Sequence, residues 1–214
     1  MSETQQALLA GRPDFAAIAR WVSQGARVLD LGCGDGALLK YLWQAREAPG
    51  YGVEIDDAEV VACVRNDINV LQLDLESGLS LFRDGSFDTV ILSETLQTIH
   101  RIEQLLREML RVGREAIVSF PNFGHWQVRG RLLLTGRMPV TEHLPDAWYV
   151  SPNAHLCTIK DFADLVDLID ASVEEAVAFN TSGQRLPIRR SISLQNLLGE
   201  KAVFLLRKRT SKKR

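Results

Sequence analysis

One nine-residue run, Val28-Leu29-Asp30-Leu31-Gly32-Cys33-Gly34-Asp35-Gly36, constrains this chain more than any other. A short apolar strand leads into three glycines at every second position, and a segment with helical periodicity follows. Gly32 and Gly34 let the backbone turn sharply and approach a ligand with no Cβ in the way, while Gly36 permits close packing of the next helix. Helical periodicity and strand-like apolar runs alternate around it from residue 13 to about residue 120, the pattern of a parallel sheet covered by helices. In such a sheet a ligand sits beyond the carboxyl ends of the strands.

The rhythm can be followed element by element. Pro13 and Asp14 open a helix over Phe15 to Val22, with proline suited to the first helical position and the acid to the positive end of the dipole. Strands are expected at Arg27–Leu31, Tyr51–Ile55, Asn69–Leu73, Phe87–Leu92 and Ala116–Phe120. Helices are expected at Gly36–Trp43, Asp57–Arg65 and Ile102–Arg111. After Phe120 regularity stops for about 35 residues, a length that marks a functional insertion, here about 121–157 and rich in Pro, Gly, Trp and His. Thr158-Ile159-Lys160-Asp161 offers a capping box ahead of a helix reaching about Asp170. Ser172–Phe179 and Lys201–Leu206 are late strands able to pair antiparallel.

Composition sets the outer limits. With 214 residues, 46% hydrophobic and 24% charged, the chain has material for one domain with a sizeable core, placed at 1–206. No apolar run approaches the roughly 18 residues of a membrane span. The opening Met-Ser-Glu-Thr-Gln-Gln shows no export signal. Cys33, Cys63 and Cys157 are odd in number and form no C-x-x-C pair, which argues against a disulfide framework or a zinc site and fits a reducing cytoplasm. Six of the last eight residues are Lys or Arg, so 207–214 reads as a solvated basic tail, and without those six the balance is 19 basic against 27 acidic residues. An acidic body of this kind weighs against nucleic acid as a partner.

Gly32, Gly34 and Ala37 satisfy the loose G-x-G-x-x-G/A fingerprint of dinucleotide binders, so the glycines alone do not name a ligand. Asp30 narrows the field. A carboxylate two residues before the first glycine can organise the turn and attract an ammonium, and it is unhelpful beside a pyrophosphate. Here the sequence resembles the class I S-adenosylmethionine-dependent methyltransferases, whose first motif is an acid followed by G-x-G-x-G. The resemblance implies that Asp30, Gly32, Gly34 and Gly36 hold the methionine end of S-adenosyl-L-methionine. Glu54, at the end of the second strand, can accept hydrogen bonds from both ribose hydroxyls. Asp74 resembles the family's adenine-amine contact, with Ile55 and Leu75 packing on the ring. Gly32, Glu54, Asp74, Ser93 and Asn122 all fall at carboxyl ends of strands, so these ends are expected to converge on one cleft.

The reacting group is less legible, and no catalytic residue is assigned. Ser93-Glu94-Thr95-Leu96-Gln97-Thr98-Ile99 lacks the Asn/Asp-Pro-Pro-aromatic signature of amine methyltransferases. It looks more like the E-x-L-E-H segment of small-molecule O-methyltransferases, but Gln97 and Thr98 replace its acid and base. His125 and His155 are candidate bases, and Trp126, Trp148 and Tyr149 candidate walls of an acceptor pocket or anchors of a protein interface. The four histidines are not at metal-ligand spacings.

A closer resemblance covers nearly the whole chain. Arg12-Pro13-Asp14, the glycine motif, Y-G-V-E-I-D at 51–56, L-R-E-M-L-R-V-G-R-E at 106–115 and S-F-P-N-F-G-H-W at 119–126 together resemble the methionine biosynthesis protein MetW family. Gly136-Arg137-Met138-Pro139 and H-L-C-T-I-K-D-F at 155–162 extend the match. Residues 106–115 stand where ordinary class I enzymes have a longer Lys-Pro-Gly-Gly turn, and its absence separates this family from them. The resemblance implies a Rossmann-like, three-layer α/β/α methyltransferase fold with a mostly parallel seven-stranded sheet and an antiparallel last strand. It also implies a role in methionine synthesis in association with homoserine O-acyltransferase. A cofactor motif without a catalytic signature suggests a protein that senses S-adenosylmethionine and supports the acyltransferase. An active methyltransferase on an unknown small acceptor is the alternative, and an NAD-dependent oxidoreductase rests only on the loose glycine pattern.

Overall fold

A computed structural model describes residues 12–140, 151, 155–188 and 192–209. The helices are α1 (Pro13–Trp21), α2 (Ala37–Arg46), α3 (Asp57–Arg65), α4 (Ile102–Val112), α5 (Trp126–Thr135), α6 (Ile159–Leu168) and α7 (Ile192–Leu198). The strands are β1 (Val28–Leu31), β2 (Gly50–Glu54), β3 (Val70–Gln72), β4 (Phe87–Ser93), β5 (Gly113–Pro121), β6 (Ala171–Phe179), β7 (Arg185–Pro187) and β8 (Lys201–Lys208). They form one sheet in the order β3-β2-β1-β4-β5-β8-β6-β7.

β3, β2, β1, β4 and β5 run parallel, and β8 inserts antiparallel between β5 and β6. This is the Rossmann-like α/β arrangement with a reversed late strand that the sequence implies. The sheet has eight strands rather than seven because the three-residue β7 folds back on the edge of β6. The order reverses at β1, whose neighbours are β2 and β4, and this reversal opens a crevice at the carboxyl ends.

Strand periodicity divides the core into two layers. Val28, Ile91, Ile117 and Val203 face α1 and α2, packing on Phe15, Ile18, Leu39 and Leu42. Leu29, Leu31, Val90, Leu92 and Val118 face the other way, onto Leu106 and Met109 of α4 and Phe162 of α6. Alternate side chains leave opposite faces of a strand, so a sheet buried on both sides needs apolar residues at almost every position. Phe120, Phe162 and Phe204 tie β5, α6 and β8 together, with ring centroids 4.7 to 5.9 Å apart. The capping box of α6 is present, the Asp161 backbone N–H donating to Thr158 Oγ1 and the Thr158 N–H to the Asp161 carboxylate.

Two expectations shift. The insertion after β5 contains α5, and β8 continues past Leu206, where Arg207 pairs with Glu115 at 3.0 Å and Glu115 in turn accepts from Thr89 Oγ1. Arg209 bonds Asp167 at 2.6 Å. Trp148, Tyr149 and residues 210–214 lie outside the described residues. Cys33, Cys63 and Cys157 are free thiols. No described helix is long and apolar enough to cross a membrane.

Candidate functional site

The glycine turn leaves β1 in the left-handed region, with φ of +69° at Gly32, +54° at Gly34 and +79° at Gly36. Gly32 has no room for anything larger: a Cβ there would lie 2.5 Å from Thr95 Oγ1. The turn is laced to β2, since the N–H groups of Gly32 and Cys33 both donate to the Val53 carbonyl at 2.8 and 3.1 Å. The Gly34 N–H donates to Glu54 Oε2 at 2.9 Å, and the other Glu54 oxygen accepts from Ile55 and Asp56. Glu54 therefore holds the turn in shape, and a carboxylate with further lone pairs keeps capacity for a ligand.

Beyond these strand ends lies a cleft of about 410 Å³. Gly32, Gly34, Glu54, Ile55, Asp74 and Leu75, six of the nine expected site residues, line it together. One Asp74 oxygen accepts from the Glu76 N–H at 2.9 Å and caps the short 3-10 turn Leu75–Ser77. Ile55 is exposed and available to a flat ring. The opposite wall comes from Glu94, Thr95, Thr98 and His100 after β4.

Asp30, Gly36 and Ser93 do not line the cleft. Gly36 packs beneath the turn, where a Cβ would lie 2.7 Å from Ile68 Cγ1. Asp30 is 1% exposed, and its Oδ1 has no hydrogen-bond partner. Burial pushes its carboxyl up to about 7, the Arg12 charge opposing the rise and Glu54 adding to it. Ser93 Oγ accepts from Arg12 at 3.0 Å and is hydrogen-bonded to Ser119 Oγ at 3.1 Å. Asn122 is a structural clasp: its amide donates to the carbonyls of Asn196 and Gly199, and its Oδ1 accepts from Gly124 and Ile159. Three of the five named strand-end residues line the cleft; the end of β4 reaches it through Glu94 and Thr95 in place of Ser93, and Asn122 is turned to internal bonds.

A buried ion cluster that periodicity did not disclose stands behind the cleft. Arg12 grips Asp14 through two nitrogens, at 3.1 and 2.8 Å, and stacks 4.2 Å from the Phe15 ring centroid. Lys201, on β8 and 4% exposed, pairs with Asp14 at 3.3 Å and with Glu94. Glu94 holds φ +57° at the cleft wall. Burial works against the Asp14 carboxylate, but the Arg12 hydrogen bonds and the Lys201 charge outweigh it and keep its pKa below the ordinary range. The available signal was a lysine opening the apolar strand Lys201-Ala202-Val203-Phe204-Leu205-Leu206 and an acid in the first turn of α1.

Of the two candidate bases, His125 is buried at the start of α5 beside Trp126, and His155 is exposed, its ring 6.4 Å from that of His100. Neither lines the cleft; His100 does, 3.4 Å from Glu76 Oε1. Among the described residues no cluster of three or more His, Cys, Asp or Glu could hold a metal ion.

Residues 12–206 match the family model of the methionine biosynthesis protein MetW. The chain belongs to the MetW family. A bifunctional methionine biosynthesis protein MetXA/MetW from Rhodopirellula baltica is 38% identical over 183 residues, covering 81% of this chain and 29% of the relative. The chain therefore spans less than a third of that relative's length. Among solved structures, a methyltransferase dependent on S-adenosylmethionine from Mesorhizobium loti matches with a TM-score of 0.68 at 16% identity, over 94% of this chain and all of that one. A methyltransferase from Thermotoga maritima, likewise S-adenosylmethionine-dependent, matches with a TM-score of 0.65 at 16% identity, over 96% and 91% of the two chains. At that identity the likeness establishes the fold of the MetW chain.

Proposed function

We propose that this MetW chain binds S-adenosylmethionine and acts in methionine synthesis as a docking and regulatory partner of homoserine O-acyltransferase. The observation that carries the partnership is the fused relative, in which a MetW part at 38% identity shares one chain with a MetXA part, read here as the acyltransferase. Covalent fusion of two activities in one relative favours physical association where the parts are separate chains.

The residues of the cleft suit the cofactor. Bare backbone at Gly32 and Gly34 faces the space where a bulky sulfonium side chain would lie, and the unpartnered Asp30 Oδ1 behind the turn offers negative potential to an ammonium. Glu54 would take the ribose hydroxyls, and the free Asp74 oxygen an amine of the base, with Ile55 and Leu75 against the ring. S-adenosylmethionine supplies an activated methyl group when bound. On the regulatory reading this chain uses the molecule as a signal of its pathway's output.

The docking surface we assign is α5 and the turn after it. Leu133 and Leu134 are each 85% exposed, with Trp126 and Met138 also open to solvent. Residues 116–141 contain three arginines and no acid, so a partner face with an apolar groove and an acidic rim would complement it. Titrating the pure protein with S-adenosylmethionine and with NADH, then capturing tagged acyltransferase, tests both halves. Binding of S-adenosylmethionine but not NADH, together with capture that Leu133→Asp/Leu134→Asp abolishes, is the expected result. Binding of NADH alone, or capture indifferent to α5, would overturn the reading.

A second reading, an active methyltransferase on a small acceptor, draws on His100, whose contact with Glu76 at the cleft mouth provides a base. Turnover of a defined acceptor, lost in His100→Gln, would favour it.

A further inference from the structure

A hollow of about 380 Å³ opens at the opposite end of the strands, where β2 and β3 begin and α2 ends. Its size falls within the range of small-molecule sites. Leu39, Trp43 and Ile68 form its apolar wall, and Lys40, Gln44 and Asp67 stand around its rim. Trp43 is 58% exposed, a large ring left to water beside the buried Leu39. Lys40 and Asp67 carry opposite charges, and among the described residues neither side chain makes an ion pair or a hydrogen bond. Asp67 holds φ +58° as the left-handed residue that ends α3, where the Ile68 N–H donates to the Cys63 carbonyl at 3.0 Å, and this places its side chain at the rim.

An apolar wall flanked by one free cation and one free anion matches a zwitterion with an apolar tail. We propose that this hollow is a second ligand site, for an apolar α-amino acid. Lys40 takes the carboxylate, Asp67 takes the ammonium, and the side chain lies against Trp43 and Leu39. A ligand bearing only one charge leaves the other rim group unanswered, which gives the site a basis for selection.

Two lining residues also reach the cleft's glycine turn. The Asn66 amide Nδ2 donates to the Asp35 carbonyl at 3.0 Å, and Ile68 packs against Gly36. A ligand that orders Asn66 and Ile68 therefore biases the same turn that positions Gly34 and Glu54. This coupling rests on the proposed function; the amino-acid site does not.

The test is calorimetric titration of the full chain with L-norleucine, and with hexanoate and pentylamine, which each keep one of the two charges. Norleucine is expected to bind saturably and about tenfold more tightly than either single-charge analogue. Lys40→Gln and Asp67→Asn are each expected to weaken it by about tenfold, and asparagine tolerates the left-handed backbone at position 67, so the turn survives. No saturable binding up to about 10 mM, equal affinity for the three probes, or indifference to both variants would overturn the site. S-adenosylmethionine is then titrated with and without saturating norleucine. A change in its affinity that Asn66→Ala removes supports the coupling, and an unchanged affinity overturns it. If norleucine binds while S-adenosylmethionine does not bind at all, the amino-acid site stands and the cofactor reading fails.

Discussion

Asp30 offers a perturbation whose size can be worked out before the experiment. In the free protein burial pushes its carboxyl up to about 7, against the pull of Arg12 and with a further push from Glu54. An ammonium brought to the glycine turn favours the ionised carboxylate, so ligand binding expels the proton. If only the ionised form binds, affinity follows the ionised fraction, about 0.09 at about pH 6 and about 0.76 at about pH 7.5. That predicts a rise of about eightfold, equivalent to about 1.2 kcal/mol. Calorimetry with S-adenosylmethionine at the two pH values, repeated in buffers of different ionisation enthalpy, reads both the affinity and the proton count. About half a proton should be released at about pH 7, and Asp30→Asn, which cannot ionise, should lose the binding.

The same group makes a stability claim with a definite sign. Its folded pKa lies above the unfolded value of about 3.9, so its contribution is fully present below that pH and is lost as pH rises through about 7. Asp30→Asn should therefore match the parent protein in acid and exceed it in thermal stability above neutrality. An affinity independent of pH with no proton release, or binding that survives in Asp30→Asn, would refute the assignment of this carboxyl to the ligand's ammonium.

Other outcomes follow from the same geometry. Gly32→Ala combines a left-handed backbone with a Cβ 2.5 Å from Thr95 Oγ1, and should cost about 2 kcal/mol in denaturant unfolding and abolish S-adenosylmethionine binding. Lys201→Met removes one of the two cations, with Arg12, that Asp14 and Glu94 share, and should destabilise the fold by about 2 kcal/mol in the same assay. Leu133→Asp/Leu134→Asp touches only exposed positions and should leave the melting temperature within about 2 °C while weakening acyltransferase capture at least about tenfold.

How much of this could be read from the chain depends on the range of each interaction. The β1–turn–α2 unit and the strands β2 to β5 were legible because their signals are local: apolar runs of strand length, positive-φ glycines and an amphipathic α4. The capping box at Thr158 and Asp161 was legible for the same reason. α5 escaped notice because Trp126-Gln127-Val128-Arg129-Gly130-Arg131-Leu132-Leu133-Leu134 has a central glycine and a run of three leucines in place of an amphipathic stripe. β7, three residues ending in proline, and the seven-residue α7 are too short to announce themselves.

Within the site, the cleft-lining residues came through wherever a motif fixes the backbone, as at Gly32, Gly34 and Glu54. Ser93 and Asn122 shared the right strand ends yet turned to internal partners, because a strand's terminal residue chooses between ligand and core by rotamer and neighbour, which spacing does not encode. The Asp14–Lys201 pair joins residues 187 positions apart, and no local pattern carries such a contact.

The most direct test of the central claim is the affinity of this MetW chain for homoserine O-acyltransferase, measured by calorimetry with and without saturating S-adenosylmethionine. A changed affinity is expected, and by linkage the same factor when S-adenosylmethionine is titrated into the preformed complex. Identical affinities under both conditions, with the cofactor bound, would contradict it.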